Sequence, residues 1–419
     1  MTRFCSASPG ERPLRICLIS YRSHPHCGGQ GVYVKHLSRA LTDLGHRVTV
    51  LSGPPDPDLD DDIKLVRRWG LDLYNPADPF RTPHPAELAN PLNLVEWLGV
   101  SLMGFPEPLV FGQRAYTYLR RRWDEFDVVH DNQSLSYGIW AAGRRLPLAA
   151  TIHHPITIDR DIAARSAGSF SAKLKIRRWH SFLTMQGMVA RTLPRIITVS
   201  RRSRDDIAAA FGIAPRRFRI IPNGIDLLRF HPLPEIEREK KRIITTTSAD
   251  VPLKGLGHLM VALARLKDPR IRLVVVGTAR KNGYIGRLIR QLGIGGQVIF
   301  TGPISQQAFV EEYARATLAV VPSIYEGFGL PAGEAMACGV PVISTTGGAL
   351  PEVVGAAGLL VPPGDAGALS AAMGDLLHNP QRAAHLGEQG RQRVMQNFTW
   401  TEAAARTVAV YREVLDAHR

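Results

Sequence analysis

Short apolar runs recur along the whole chain, each closed by glycine, proline or polar residues and followed by a stretch with three-to-four apolar spacing. Residues 14–20 read as a buried strand, and a glycine-containing loop follows. Val34, Leu37, Leu41 and Leu44 then keep the spacing that buries one face of a helix over 32–44. Gly45 stops that helix, and residues 46–51 form the next strand. Further strands are predicted at 126–130, 148–152, 195–199 and 218–221, with a helix over 135–145. From residue 83 to residue 123 the pattern is helical but irregular, which marks an insertion. Residues 170–193 read as one long helical segment. After a polar, proline-containing linker over 222–242, the rhythm becomes more regular, with strands at 243–247, 271–276, 298–301, 318–321, 340–344 and 358–361. Strands alternating with helices predict parallel sheets covered on both faces. The chain is therefore read as two α/β domains with a cleft between their strand ends.

The length of 419 residues suits two such domains. With 45% apolar and 21% charged residues, the composition is that of a folded globular protein. The polar first residues read as neither signal peptide nor anchor. The most apolar window, 92–112, is interrupted by Glu96, Pro106, Glu107 and Pro108, so it does not read as a membrane span. Cys5, Cys17, Cys27 and Cys338 form no close pair and no metal spacing, which suits a reducing, cytoplasmic setting. The acidic stretch 56–62 has no calcium-loop spacing and reads as a solvated loop.

Charge changes the picture more. The net charge of +15 is concentrated in residues 1–225, which hold 31 Lys+Arg against 20 Asp+Glu. Such an excess attracts an anionic partner: nucleic acid, a membrane surface or a phosphorylated substrate. No nucleic-acid recognition motif accompanies it, so that partner is not expected. In residues 170–193, Lys173, Lys175, Arg177, Arg178, His180 and Arg191 interleave with Phe170, Leu174, Ile176, Trp179, Phe182, Leu183 and Met185. Two readings stay open: a helix lying on an anionic membrane surface, or a partly buried helix with a solvated basic edge. The first would place the protein peripherally on the inner face of the plasma membrane.

Candidate chemistry concentrates in residues 322–343. An apolar strand ends at Pro322, a loop carries Gly327 and Gly329, and Leu330 opens a short helix ended by Gly339. Glycines let backbone amides approach a ligand, and the helix N-terminus is a ready anion site. Glu326 lies in the loop and Glu334 on the helix, so vicinal hydroxyls and phosphate could be held together. A sugar nucleotide presents both groups. A second glycine loop with Gly28 and Gly29 follows the first strand, without the G-x-G-x-x-G spacing of dinucleotide-binding proteins. His153 stands at a strand's C-terminal end, the edge where open parallel sheets bind ligands.

These pieces together resemble the retaining glycosyltransferases of family 4, with strong resemblance over 217–363 and weak over 50–120. The most specific matches are Pro322-Ser323, Glu326-Gly327-Phe328-Gly329-Leu330-Pro331, Glu334-Ala335-Met336-Ala337 and Gly339-Val340-Pro341-Val342-Ile343. The resemblance implies a GT-B fold: two Rossmann-like, doubly wound parallel-sheet domains, at 1–225 and 226–398, with a C-terminal helix over 399–419 packing back on the first. It implies transfer of a hexose from a UDP- or GDP-linked donor to a hydroxyl acceptor, a polysaccharide or, on the ground of the basic excess and the segment 170–193, a lipid-linked one, with retained anomeric configuration and without a metal or other cofactor. By the same resemblance, Glu326 holds donor-sugar hydroxyls and Glu334 the ribose. The amides around Gly327, Phe328, Gly329 and Leu330 cradle phosphate and sugar, and Lys254 neutralises the diphosphate. Gly28 and Gly29 lie near phosphates and acceptor, and His153 near the anomeric centre. Three departures bear on donor affinity. Ser248 and Ala249 stand where an arginine is usual, Gly277-Thr278-Ala279 lacks a common second glycine, and the motif Gly-Gly-x-Pro-Glu is matched by Gly348-Ala349-Leu350-Pro351-Glu352 with alanine for one glycine. A sugar-nucleotide isomerase and a non-catalytic sugar-nucleotide scaffold are the rival readings.

Overall fold

The computed structural model describes residues 12–24, 29–68, 70–75, 78–246, 251–278 and 283–418. The chain divides into two compact units, one of Met1–Val199, Ser203–Pro222 and Trp400–Arg419, the other of Asn223–Thr399 with Ser200–Arg202.

The first unit is built on seven strands: β1 (Arg15–Ser20), β2 (Arg47–Ser52), β3 (Lys64–Arg67), β4 (Val128–Asn132), β5 (Leu148–Ile152), β6 (Ile196–Thr198) and β7 (Phe218–Ile220). Their order is β3-β2-β1-β4-β5-β6-β7 and every pair is parallel. Side chains alternate across the sheet, so each strand feeds two cores. Cys17, Ile19, Val129, Ala150 and Ile196 pack under Phe111, Leu119, Ile139 and Val189. Ile16, Leu18, Val128, Ala149 and Ile197 pack under Val34, Leu37 and Leu41 of the helix Gly29–Asp43 and under Ala404, Val408 and Tyr411 of the C-terminal helix Trp400–His418. The C-terminal helix is thus one wall of the first unit's core.

The second unit carries β8 (Arg242–Thr246), β9 (Arg272–Val276), β10 (Val298–Phe300), β11 (Leu318–Val321), β12 (Val342–Thr345) and β13 (Leu359–Val361), in the parallel order β10-β9-β8-β11-β12-β13. Ile243, Leu273, Val275, Leu318, Val320 and Ile343 meet Leu259, Met260, Leu263, Leu369 and Met373 in its core. Both units are doubly wound α/β folds, and in each the strand order reverses once, between β1 and β4 and between β8 and β11. Ligands of open α/β sheets bind outside the strand ends at such a reversal.

Three local features differ from the sequence reading. The expected long segment 170–193 is two helices, Phe170–Trp179 and Phe182–Thr192, parted where His180 leaves helical geometry (φ −90°, ψ 16°). Both halves are amphipathic, so periodicity alone does not expose the break. Strand β3 was not expected because only Leu65 and Val66 of its four residues are apolar; charged ends suit its edge position. A helix at Ile156–Ser166 also went unseen, opened by Pro155 after β5. The acidic stretch after β2 is tied down by cations, through Asp56–Arg67, Asp58–Lys35 and Asp60 and Asp62 with Arg39. Among the described residues no group of three or more His, Cys, Asp or Glu is arranged to hold a metal, and no helix is long and apolar enough to cross a membrane.

Candidate functional site

In the second unit, the loops leaving β8 and β11 meet at the strand-order reversal. The β8 loop ends in a short turn, Pro252–Lys254, closed by Gly255 in the left-handed region (φ 67°). A Cβ on Gly255 would lie 2.0 Å from the Pro322 carbonyl oxygen, so only glycine lets the two loops approach this closely. The Ile324 amide donates to the Leu253 carbonyl (2.8 Å), completing the contact. The docked loops bring Lys254 Nζ to Glu326 Oε1 at 2.8 Å, and Ser323 Oγ donates to the same oxygen at 2.8 Å. Glu326 is largely shielded and the Lys254 side chain partly exposed, and the pair with Ser323 fixes the carboxylate.

Gly329, with φ 105°, then turns the chain into the helix Leu330–Ala337, which has no side-chain cap at its N-terminus. Its first turn keeps the partial positive charge and open amide donors of an uncapped helix end. A third segment supports this loop from behind. A Cβ on Gly347 would lie 2.3 Å from the Ile324 carbonyl oxygen and one on Gly348 2.1 Å from that of Glu326, while the Ala349 amide donates to Glu326 O at 2.9 Å. The working glycine pair is therefore Gly347-Gly348, one residue earlier than the register taken from sequence. Ala349 replaces no glycine that the backbone needs.

Glu334 sits on the same helix, half-buried. Burial lifts its carboxyl to about 7, against the pull of Arg229; Asp226 adds to the rise and a hydrogen bond from Tyr313 opposes it. An ionised carboxylate accepts from two ribose hydroxyls with one oxygen for each, whereas protonation turns one of those oxygens into a donor and weakens the pairing. If Glu334 holds the ribose in this way, the donor KM should rise up to about tenfold between pH 8 and pH 6 as the proton binds, and Glu334→Gln should remove that dependence. A donor KM that is flat over this range in the unaltered protein would dissociate Glu334 from donor binding.

In the first unit, a second polar cluster stands at the reversal between β1 and β4. His153 follows β5, and its Nε2 lies 2.8 Å from Asn132 Oδ1 at the end of β4. Asn132 Nδ2 points to Ser20 Oγ and the Gln30 carbonyl (3.3 and 3.4 Å), so its oxygen is the acceptor and His153 carries its proton on Nε2. Burial, with the nearby His154 and His130, lowers the His153 pKa to about 3, and the ring is neutral at working pH. Its backbone is clamped: the amide donates to Gln133 Oε1 (2.8 Å), and the carbonyl accepts from Ser203 Oγ (3.0 Å). Gln133 and Leu135 hold positive φ (59° and 46°), a conformation stabilised by Asp131, whose carboxylate accepts the Leu135 amide at 2.7 Å. Strained turns of this kind concentrate at working sites.

The predicted residues thus fall into two clusters. Lys254, Glu326, Gly327, Phe328, Gly329, Leu330 and Glu334 share the second unit's reversal; His153 and Gly29, the first residue of the helix Gly29–Asp43, share the first unit's. Gly28 and the pair Ser248 and Ala249 lie outside the described residues. Sequence reasoning passed over Ser323 as a partner of Glu326, and Asn132, Gln133 and Tyr33 as partners of His153. One signal was present. The end of β4 reads His130-Asp131-Asn132, all buried, in a central strand where apolar residues are the rule.

The family described as Glycosyltransferase Family 4 matches residues 27–229, and the one described as Glycosyl transferases group 1 matches 232–393. The chain is 45% identical over 408 residues to the MMP α-(1→4)-mannosyltransferase of Mycolicibacterium hassiacum, covering 96% of this chain and 98% of that protein. Sucrose-phosphate synthase from Thermosynechococcus elongatus superposes with a TM-score of 0.73 at 26% identity, covering 96% and 99% of the two chains. HepE of Anabaena, solved with UDP and glucose, shares the fold with a TM-score of 0.68 at 17% identity, over 95% of this chain and 99% of that one.

Proposed function

This chain belongs to glycosyltransferase family 4, with the GT-B fold, and we propose that it moves a mannosyl group from a nucleoside-diphosphate donor to a sugar hydroxyl with retained configuration. The observation that carries the reading is the Lys254–Glu326–Ser323 constellation beside an uncapped helix N-terminus, at the strand-order reversal of the second unit. The diphosphate binds Lys254 and the amides of the helix end, and Glu326 accepts from sugar hydroxyls. The bond from the anomeric carbon to the leaving phosphate oxygen breaks as the acceptor oxygen bonds the same face. The acceptor proton passes to the departing phosphate oxygen. Fixed positive charge stabilises that leaving group, the part a divalent ion plays in other transferases. Glu326 already engages Oε1 with two donors, which supports a hydrogen-bonding rather than a nucleophilic role. For His153, neutral and clamped in the first unit, the family resemblance suggests a role near the anomeric centre.

The mannosyl and α-(1→4) assignment rests on the 45% identity to the mannosyltransferase, and MMP is the first acceptor to try. Thermal shift against GDP, UDP and ADP identifies the base, because a product at a hundred times its Kd stabilises by about 2.7 kcal/mol. Incubation of the matching nucleoside-diphosphate mannose with MMP should then yield a new α-linked mannosyl residue by NMR. Epimerised donor in the absence of acceptor would instead identify an isomerase. Binding of a nucleotide without turnover on any acceptor would identify a scaffold.

The basic surface is assigned to an anionic membrane. The helix Phe170–Trp179 buries none of its residues, exposes Phe170 (83%) and Leu174 (57%), and carries Lys173, Lys175, Arg177 and Arg178 with no acid. Beside it, Phe80, Val100 and Met103 line an apolar groove with Ile176 and Trp179, and Leu94, Leu98 and Leu102 are exposed nearby along the chain. The helix Phe182–Thr192, in contrast, buries Phe182, Leu183, Met185 and Val189, so the proposed contact narrows to 170–179. The protein should pellet with phosphatidylglycerol vesicles at low salt and not with phosphatidylcholine vesicles. Phe170→Ser with Leu174→Ser should release it. Failure to pellet at low salt would remove the membrane from the proposal.

A further inference from the structure

Behind His153 lies a buried chain of hydrogen bonds that nothing in the transfer reaction itself requires. The His153 ring is wedged between Asn132 and the edge-on ring of Tyr33, whose centroid is 4.7 Å away at an interplanar angle of 82°. The Tyr33 hydroxyl lies 2.9 Å from Thr151 Oγ1 on β5. Thr151 Oγ1 lies 2.8 Å from His130 Nε2 on β4, and His130 Nδ1 lies 2.6 Å from the Tyr411 hydroxyl on the C-terminal helix. All four residues are buried, they come from four different elements, and His130 and Tyr411 are 281 residues apart in sequence. Tyr33 also meets Trp400, the first residue of the C-terminal helix, edge-on at 5.8 Å, and Trp400 stacks on His36 at 5.3 Å.

Each hydroxyl has one proton to give, and a neutral imidazole donates through one nitrogen and accepts through the other. The bonds can run from Tyr411 to Tyr33 or the other way, according to which His130 nitrogen carries the proton, and in either sense removing any member unsettles its neighbours. Burial lowers the His130 pKa to about 3, so the imidazole stays neutral within the chain.

We propose that Tyr33, Thr151, His130 and Tyr411 are positioning residues for His153, through which the C-terminal helix fixes the orientation of its imidazole. The proposal rests on the reading of His153 as a residue at the reacting centre. It differs from a purely structural role in a direct way: a change at Tyr411 or Thr151 must be felt at the His153 ring.

The test uses full-length protein labelled with 15N at histidine, with the His153 resonances assigned by their loss in His153→Gln. Tyr411→Phe and Thr151→Val each remove one hydroxyl from the chain, and Thr151→Ser keeps it. Both deletions should shift the His153 ring nitrogens and lower kcat about three- to tenfold with the donor KM unchanged, as a misaligned supporting group does. Thr151→Ser should restore both. Unmoved His153 resonances in folded Tyr411→Phe and Thr151→Val overturn the proposal, whatever happens to kcat. So does a Thr151→Ser variant that behaves like Thr151→Val. If one deletion fails to fold, Tyr33→Phe takes its place with the same expected readout. Shifted resonances with kcat intact would uphold the relay and overturn the placement of His153 at the reacting centre, so the two failures are distinguishable.

Discussion

Replacing Lys254 by alanine is expected to lower mannosyl transfer by about a thousandfold while leaving the protein folded. The ammonium is the one side-chain cation that the second unit's reversal holds against Glu326, at 2.8 Å, among the described residues. In the proposed reaction it faces the charge that grows on the departing diphosphate. Its loss removes a charge-assisted contact from the transition state, a larger effect than loss of a neutral donor. The structural cost is small by comparison. The pair is only partly shielded, and such ion pairs contribute about 0–1 kcal/mol. Ser323 continues to donate to Glu326, so the carboxylate is not left without a partner. The decisive comparison is single-turnover rate against melting temperature: an inactive variant with nearly unchanged melting supports the assignment, and a fully active one sinks it.

Gly255→Ala is expected to be inactive and also destabilised, by about 2–4 kcal/mol. Two costs combine. An L side chain is strained at φ 67°, and its Cβ would meet the Pro322 carbonyl oxygen at 2.0 Å. Neither neighbour is a flexible side chain that could step aside. Relief must come from separating the β8 and β11 loops, which moves Lys254 away from Glu326. Denaturant unfolding and the transfer assay should therefore fall together, in contrast to Lys254→Ala, where they part. Retained stability in Gly255→Ala would mean that the loops are not docked through this position.

Much of the proposed donor site was legible because it is local. Pro322 ends an apolar strand, glycines occupy the next loop, and Leu330 begins a helix, all within ten residues. That order is dictated by burial, backbone freedom and helix initiation, and each leaves a mark on composition. Lys254 was different. Nothing about a lone lysine after a strand distinguishes it, and it became visible only through resemblance. The first unit's cluster was harder still. His153, Asn132, Tyr33 and Gln133 come together through sheet order, and no spacing in the chain announces that β1 lies between β2 and β4. The misread glycine register at 347–349 has the same origin. Either neighbouring pair satisfies a pattern, but only the backbone of Ser323, Ile324 and Glu326 shows which glycines are pressed against it. The split of 170–193 into an exposed and a buried helix likewise depends on which face finds a core.

The placement of the C-terminal helix has a consequence for the order of events during synthesis. Domains ordinarily fold as they emerge, the N-terminal one first. Here Ala404, Val408 and Tyr411 complete the core over Ile16, Leu18 and Val128, so the unit that begins to be made first is the last to be finished. Residues 223–399 are contiguous and hold their whole sheet, and they can close while one side of the earlier sheet is covered by the helix Gly29–Asp43 alone. Until Tyr411 leaves the ribosome, the part of that face which the C-terminal helix covers is an apolar surface for chaperones. A message cut short near its end would strand the nascent protein in that state.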